Sequence, residues 1–228
     1  MDFPALEDNL QRVRDRIARA QESAGVAGPV TVLAVTKGHS ADAIRATLRA
    51  GLTDIGENRV QEAVAKAESV GDVSVRWHLI GHLQSNKAKF VPGTFGMVQS
   101  VDSVKLVHAL DRALARTGAD LDVLLQINSS AEPQKSGCDP CAAGEIADAI
   151  EQSTHMTLQG VMTMAPLSDD ERIVGRAFSL TREVRDELAA SRQLPILSMG
   201  MSGDYELAIK EGANLVRLGT VLFGERPR

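Results

Sequence analysis

Val30-Thr31-Val32-Leu33-Ala34-Val35-Thr36-Lys37 is a short, almost wholly apolar run, rich in β-branched residues, that stops on a lysine beside Gly38. Such a run reads as a strand buried on both faces. A strand of that kind has no ordinary use for an ammonium group at its end. Two readings of Lys37 follow. In one it is a solvated lysine that closes the strand. In the other it is an amine held in a dry cleft with a lowered pKa, ready to form a Schiff base with an aldehyde.

Working outward, the run is one of eight. Further strands are predicted at 53–57, 75–81, 96–101, 121–127, 158–164, 196–200 and 214–218, and amphipathic helices separate them. Ser40 caps a helix through Leu48 that ends at Gly51. Asp102 or Ser103 starts another, with Val107, Leu110 and Leu114 on its inner face. The loop after the fifth strand carries Pro133, Gly137 and Pro140. Strand–helix alternation implies parallel strands with right-handed crossovers, and eight units close naturally into a barrel. The expected fold is therefore α/β, a single (β/α)8 TIM barrel spanning 1–228. An extra N-terminal helix precedes it, with Leu6, Leu10, Val13 and Ile17 as its apolar stripe and Gly25 as its stop. That helix packs on the outside of the barrel or plugs its floor.

Composition narrows the function. With 228 residues, 43% of them hydrophobic, the chain suits one barrel-sized core. A net charge of −5 with no basic stripe argues against nucleic acid. Aromatics at 3% leave little for base stacking. No apolar run reaches membrane-span length, and Met1 to Leu10, with Asp2, Glu7 and Asp8, is not a signal peptide. Two cysteines and seven methionines suit a reducing cytoplasm.

The polar residues at the predicted strand ends form a set, and in barrels ligands bind there. Lys37 follows the first strand and Asn58 the second, and His78 lies near the end of the third. Ser198 and Ser202 bracket the end of the seventh, and Arg217, Gly219 and Thr220 lie at the end of the eighth. The stretches 199–204 and 217–220 are glycine-containing and lead out of the last two strands. They either close tight turns or present backbone N–H groups to a phosphate. An amine on strand one and a phosphate beside strand eight would be neighbours in a closed barrel. A sugar-phosphate aldolase that works through a Schiff base would use the same parts.

The segments Ala34 to Lys37, Gly56 to Glu62, Trp77 to Lys87, Leu197 to Ser202 with Asp204, and Val216 to Thr220 through Phe223-Gly224 span the chain nearly end to end. Together they closely resemble the pyridoxal-phosphate homeostasis proteins, whose fold is similar to the N-terminal barrel domain of alanine racemase. The resemblance implies pyridoxal 5′-phosphate bound as a Schiff base on Lys37. It further implies a phosphate held by Ser202, Gly219 and Thr220, Arg217 facing the pyridine nitrogen, and Asn58 beside the ring. His78 and Ser198 lie in matching segments. Two stretches depart from the family pattern: Gly38-His39, after the lysine, and the loop Gly137-Cys138-Asp139-Pro140-Cys141.

Arg217 can only donate hydrogen bonds, so it would keep the ring nitrogen unprotonated and weaken the cofactor as an electron sink. A rim salt bridge is the plainer alternative for this residue. The racemases use a tyrosine from a second domain as the opposite acid/base. Here the chain ends at Arg228, and its sole tyrosine, Tyr205, falls in the helix after strand seven. The expectation is a monomeric, cytoplasmic carrier or buffer of pyridoxal phosphate, without catalytic residues or turnover, that serves pyridoxal-phosphate-dependent apoenzymes as acceptors. The alternative is a racemase-like enzyme acting on some amino acid.

Other residues are set aside. Cys138 and Cys141 lack a second pair for zinc and read as exposed structural cysteines. His39, His108 and His155 read as solvated or packed, with no metal spacing. Met162, Met164, Met199 and Met201 read as barrel core. Asp169 to Arg172 reads as a solvated helix start.

Overall fold

The computed structural model describes residues 3–71, 73–130 and 136–225. Pro133 lies outside the described residues, as do Asp2 and Arg228. The strands are β1 (Thr31–Val35), β2 (Asp54–Glu57), β3 (Arg76–Leu79), β4 (Met97–Val101), β5 (Leu121–Ile127), β6 (Met156–Thr163), β7 (Ile196–Ser198) and β8 (Leu215–Leu218). They form a closed barrel in chain order. Each neighbouring pair is parallel, and β8 returns to β1 with Leu33 opposite Arg217.

Strand alternation sorts side chains into two layers. Val32 and Ala34 of β1 join the large apolar layer between strands and helices. Leu33 and Val35 face the lumen, with Ile80 and Leu215. A second lumen cluster holds Met97, Leu124 and Met162. The opening strand is thus buried on both faces.

The outer layer comprises α2 (Ala41–Arg49), α3 (Val60–Val70), α4 (Val104–Ala115), α5 (Ala143–Glu151), α6 (Glu171–Ala189) and α7 (Tyr205–Lys210), with α1 (Leu6–Ala24) ahead of them. Ser40 caps α2 by accepting from the Asp42 N–H, and Ser103 caps α4 by accepting from the Leu106 N–H. Asp170 caps α6 in the same way, through the Arg172 N–H. Gly25 ends α1 at φ 64°.

α1 does not plug the floor. It packs outside, against α7 and the short C-terminal α8 (Thr220–Phe223). Asn9 donates to the Leu222 carbonyl at 2.8 Å, and Arg16 pairs with Glu206 while lying over the Tyr205 ring. Two short helices were not expected. A 3-10 helix, Ser85–Phe90, occupies part of the loop after β3, and α8 occupies the expected tail. Both are too short for helical periodicity to show in sequence.

β7 stops two residues earlier than expected because Gly200 turns at φ 90°. A Cβ there would lie 2.7 Å from Tyr205 Cα and 2.8 Å from Ala208 Cβ. Only glycine meets both demands, and the turn that follows carries Ser202. Gly200→Ala is therefore expected to cost about 2–4 kcal/mol, from left-handed strain and overpacking combined. Urea denaturation measures it; a change within about 0.5 kcal/mol, the scale of a neutral surface substitution, overturns this account.

Candidate functional site

Parallel strands bring all their C-terminal ends to one rim. Leu33 and Val35 face inward, so Lys37 comes next on the same parity. It lines a cavity of about 350 Å³ together with Asn58, Ser202, Arg217, Gly219 and Thr220. His78 and Ser198, the other two residues named from sequence, lie deeper. Both are fully buried, on β3 and β7, bonded to other side chains.

The segment bearing Lys37 is pinned from outside the barrel. Thr36 donates its hydroxyl to Glu57 Oε1 at 2.5 Å. Lys66 Nζ donates to the Thr36 carbonyl at 2.8 Å, to Glu57 Oε1 at 2.7 Å and to Glu62 Oε1 at 2.8 Å. The Gly38 N–H donates to Glu62 Oε1 at 2.7 Å. Both neighbours of Lys37 are therefore tied to one buried ionic cluster. Burial raises the Glu57 carboxyl, opposed by Lys66 and Thr36. Burial pushes Glu62 the same way, but bonds from Lys66 and Gly38 prevail and hold it below its ordinary value.

The opposite wall is built by the last two loops. The Met201 N–H donates to Asp204 Oδ1 at 2.6 Å, which staples the turn after β7. The Val221 N–H donates to Ser202 Oγ at 3.3 Å, which ties that turn to α8. Arg217 is only 4% exposed. Its Nη1 donates to Ser198 O at 2.9 Å and Ser198 Oγ at 2.8 Å, and its Nη2 to Thr163 O at 2.6 Å. These bonds use three of five N–H groups. Its acceptors there are neutral, in place of the rim salt bridge considered from sequence. Burial lowers its pKa to about 10, opposed by Asp204, so the guanidinium stays charged at neutral pH.

Several cavity residues were set aside or missed. Met164 and Met201 are 39% and 37% exposed and line the cavity, whereas Met162 and Met199 are core as expected. The difference is position: the first pair lies beyond the strand ends. His39 is packed, 5.6 Å from Phe3 and 5.2 Å from Phe223 between ring centroids, and it also lines the cavity. Gly81 and His82 are lining residues too. A Cβ on Gly81 would lie 2.3 Å from the Asn58 carbonyl oxygen, so glycine lets the two loops cross.

Cys138 is buried, against the expectation of exposure, and desolvation pushes its thiol up to about 12. Its backbone bonds to Gln126 and Asn128 prolong the edge of β5, which draws it inward. Cys141 is exposed. Tyr205 is 1% exposed and packs beneath Arg16 of α1, away from the cavity lining. Among the described residues there is no cluster of three or more potential metal ligands, and no helix is long and apolar enough to cross a membrane.

The family model of the alanine racemase N-terminal domain matches residues 2–227. The chain belongs to this family. It is 40% identical, over 97% of its length and 96% of the relative's, to the pyridoxal phosphate homeostasis protein of Pseudomonas aeruginosa. A solved protein of unknown function from Bifidobacterium adolescentis superposes with a TM-score of 0.91 at 41% identity, covering 98% of this chain and 97% of that one. PipY of Synechococcus elongatus, solved with pyridoxal phosphate bound, superposes with a TM-score of 0.84 at 36% identity, covering 96% and 100%.

In this member of the family, Lys66 had a visible signal, since it stands four residues after Glu62 on α3. Lys66→Met keeps the length of the side chain but leaves Glu57 buried without its cation. The expected loss is about 3–5 kcal/mol in urea denaturation at neutral pH. A loss below about 1 kcal/mol, the value of an exposed pair, would contradict the assigned burial of this cluster.

Proposed function

We propose that the protein binds pyridoxal 5′-phosphate as a Schiff base on Lys37 and serves intracellular pyridoxal-phosphate homeostasis as a carrier, without catalytic turnover. The observation that carries this reading is the shared cavity: Lys37 and Arg217 line it together with the loops after β7 and β8. Its volume, about 350 Å³, lies in the range that encloses small ligands. The names of the relatives support the same reading.

The donor set fits the group. When bound, pyridoxal phosphate supplies an aldehyde for an amine to capture and a conjugated ring that draws electrons toward its nitrogen. Lys37 provides the amine. Ser202, Gly219 and Thr220 form the wall that takes the phosphate, since two backbone-rich loops joined through Ser202 offer N–H groups and hydroxyls at close range. Arg217 can donate to the ring nitrogen and cannot protonate it at neutral pH. Asn58 borders the ring. His78 and Ser198 act from beneath, without lining the cavity.

Residues 1–228 form one cofactor-holding unit in this proposal, monomeric and cytoplasmic, delivering to pyridoxal-phosphate-dependent apoenzymes. Two-base racemisation of an amino acid needs a second acid/base opposite the lysine. Tyr205 is buried against α1 and does not serve. His39, although it lines the cavity, packs edge-on against Phe3 and tilted against Phe223.

Borohydride reduction of the purified, yellow protein should place a stable pyridoxyl label on Lys37, and Lys37→Ala should lose it. A label elsewhere, or a native protein indifferent to added pyridoxal phosphate, defeats the proposal. Incubation of the loaded protein with L-alanine should yield D-alanine no faster than free cofactor does. Sustained turnover would favour the racemase-like alternative.

A further inference from the structure

We propose that Asp54, His78, Gln99 and Ser198 form a one-way hydrogen-bond relay across the barrel lumen that positions Arg217, so that His78 and Gln99 are positioning residues for the cofactor ring. The proposal rests on the pyridoxal-phosphate reading above.

The direction follows link by link from what each group can do. Arg217 Nη1 can only donate, and it donates to Ser198 Oγ at 2.8 Å. That oxygen therefore turns its own hydrogen to Gln99 Oε1, 2.7 Å away. The Gln99 amide is then fixed, with Nε2 toward His78 Nδ1 at 3.0 Å. An amide nitrogen donates, so Nδ1 must be the bare ring nitrogen. The neutral ring carries its hydrogen on Nε2, which meets Asp54 Oδ1 at 2.9 Å. Every donor points the same way, from the cation to the carboxylate.

The reversed amide is excluded by the same bookkeeping. It would set two donors, from Arg217 and Gln99, on Ser198 Oγ and turn the hydroxyl hydrogen away from Gln99, its acceptor here. It would also require hydrogen on Nδ1 of His78, leaving a lone pair on Nε2 against the Asp54 carboxylate. Protonating both ring nitrogens is opposed by burial, which lowers the His78 pKa against the pull of Asp54. The other charges acting on the ring, Arg76 and Asp122, pair with each other at the barrel floor and largely offset.

The relay steps from β2 to β3 to β4, crosses the lumen to β7 and ends on β8. His78, Gln99 and Ser198 are fully buried. Barrel interiors are ordinarily filled by branched apolar side chains, and a buried polar chain is tolerable only when each member is satisfied. This chain satisfies its members one after another. Its upper end fixes the plane of the guanidinium, because Nη1 is held by Ser198 and Nη2 by Thr163.

The first arm of the test uses the cofactor-free protein and reads the His78 tautomer from its imidazole nitrogen chemical shifts. The native protein should show the neutral Nε2–H form at neutral pH. Gln99→Glu should convert His78 to imidazolium, because both ring nitrogens then face carboxylates. A native proton on Nδ1 overturns the relay. This arm is independent of cofactor, so it decides the relay even if the native protein takes up no pyridoxal phosphate, an outcome that would defeat the functional proposal alone. The second arm loads the native protein, Gln99→Leu and Gln99→Glu with pyridoxal phosphate. Gln99→Leu should release it about tenfold faster, the scale of one buried hydrogen bond left unmade, while borohydride still labels Lys37. Gln99→Glu should shift the visible band. Native band and release rate in both variants overturn the positioning role. Should Gln99→Leu not fold, the native tautomer and the Gln99→Glu spectra decide.

Discussion

Removing a guanidinium from water costs several kcal/mol unless its hydrogens find acceptors, and Arg217 sits at the floor of the cavity almost wholly buried. Its acceptors come from the ends of β6 and β7 while the residue itself belongs to β8. The cation thus straps three strand ends. The strap falls where the ladder is thinnest, since β7 has three residues and its register with β8 is one pair, Ser198 with Leu215. Asn214 and Gly200 add bonds at either end of that seam. The same side chain therefore closes the barrel and lines the cavity.

On the other side of β1 the supporting charges are outside the lumen. Glu57 and Lys66 lie between β2 and α3, and they hold Thr36, the residue before Lys37. A buried ion pair of this sort adds little net stability over an apolar pair. What it does here is fix backbone: Thr36 through both its hydroxyl and its carbonyl, and Gly38 through its N–H to Glu62. The lysine between them leaves β1 in a defined direction. Arg217 then presents a fixed cation to the cavity that Lys37 also lines, which favours an anionic occupant.

The architecture was readable in the sequence because strand and helix periods alternate without interruption, and each buried strand is a dense apolar run. The lining residues were readable in part because they follow those runs directly: Lys37, Asn58, Ser202, Gly219 and Thr220. Depth was not readable. His78 and Ser198 stand in the same segments as lining residues, yet strand parity alone sends them inward, and where β3 and β7 end depends on backbone turns such as Gly200. Gln99 did leave a trace, a polar residue with Ser100 in an otherwise apolar strand. Its partners lie on β3 and β7, and pairing across a lumen has no signature in local sequence. Met164 and Met201 were misassigned for a related reason: methionine looks alike in a core and on a rim, and both lie just past the strand ends.

The cavity is built differently at its depth and at its mouth. Below, Arg217 is fixed by Ser198 and Thr163. At the mouth stand Met164 and Met201, partly exposed. Thioether side chains adapt their shape at little cost and neither donate nor accept protons at useful strength. The depth of the cavity therefore carries a fixed charged group, while two compliant thioethers stand at its mouth among the polar lining residues. A catalyst for proton transfer needs the opposite emphasis, with an ionisable group fixed above the ligand to answer the lysine. In the carrier reading proposed above, rigidity concentrated on the side of Arg217 suits recognising one ring in one pose and letting it go again.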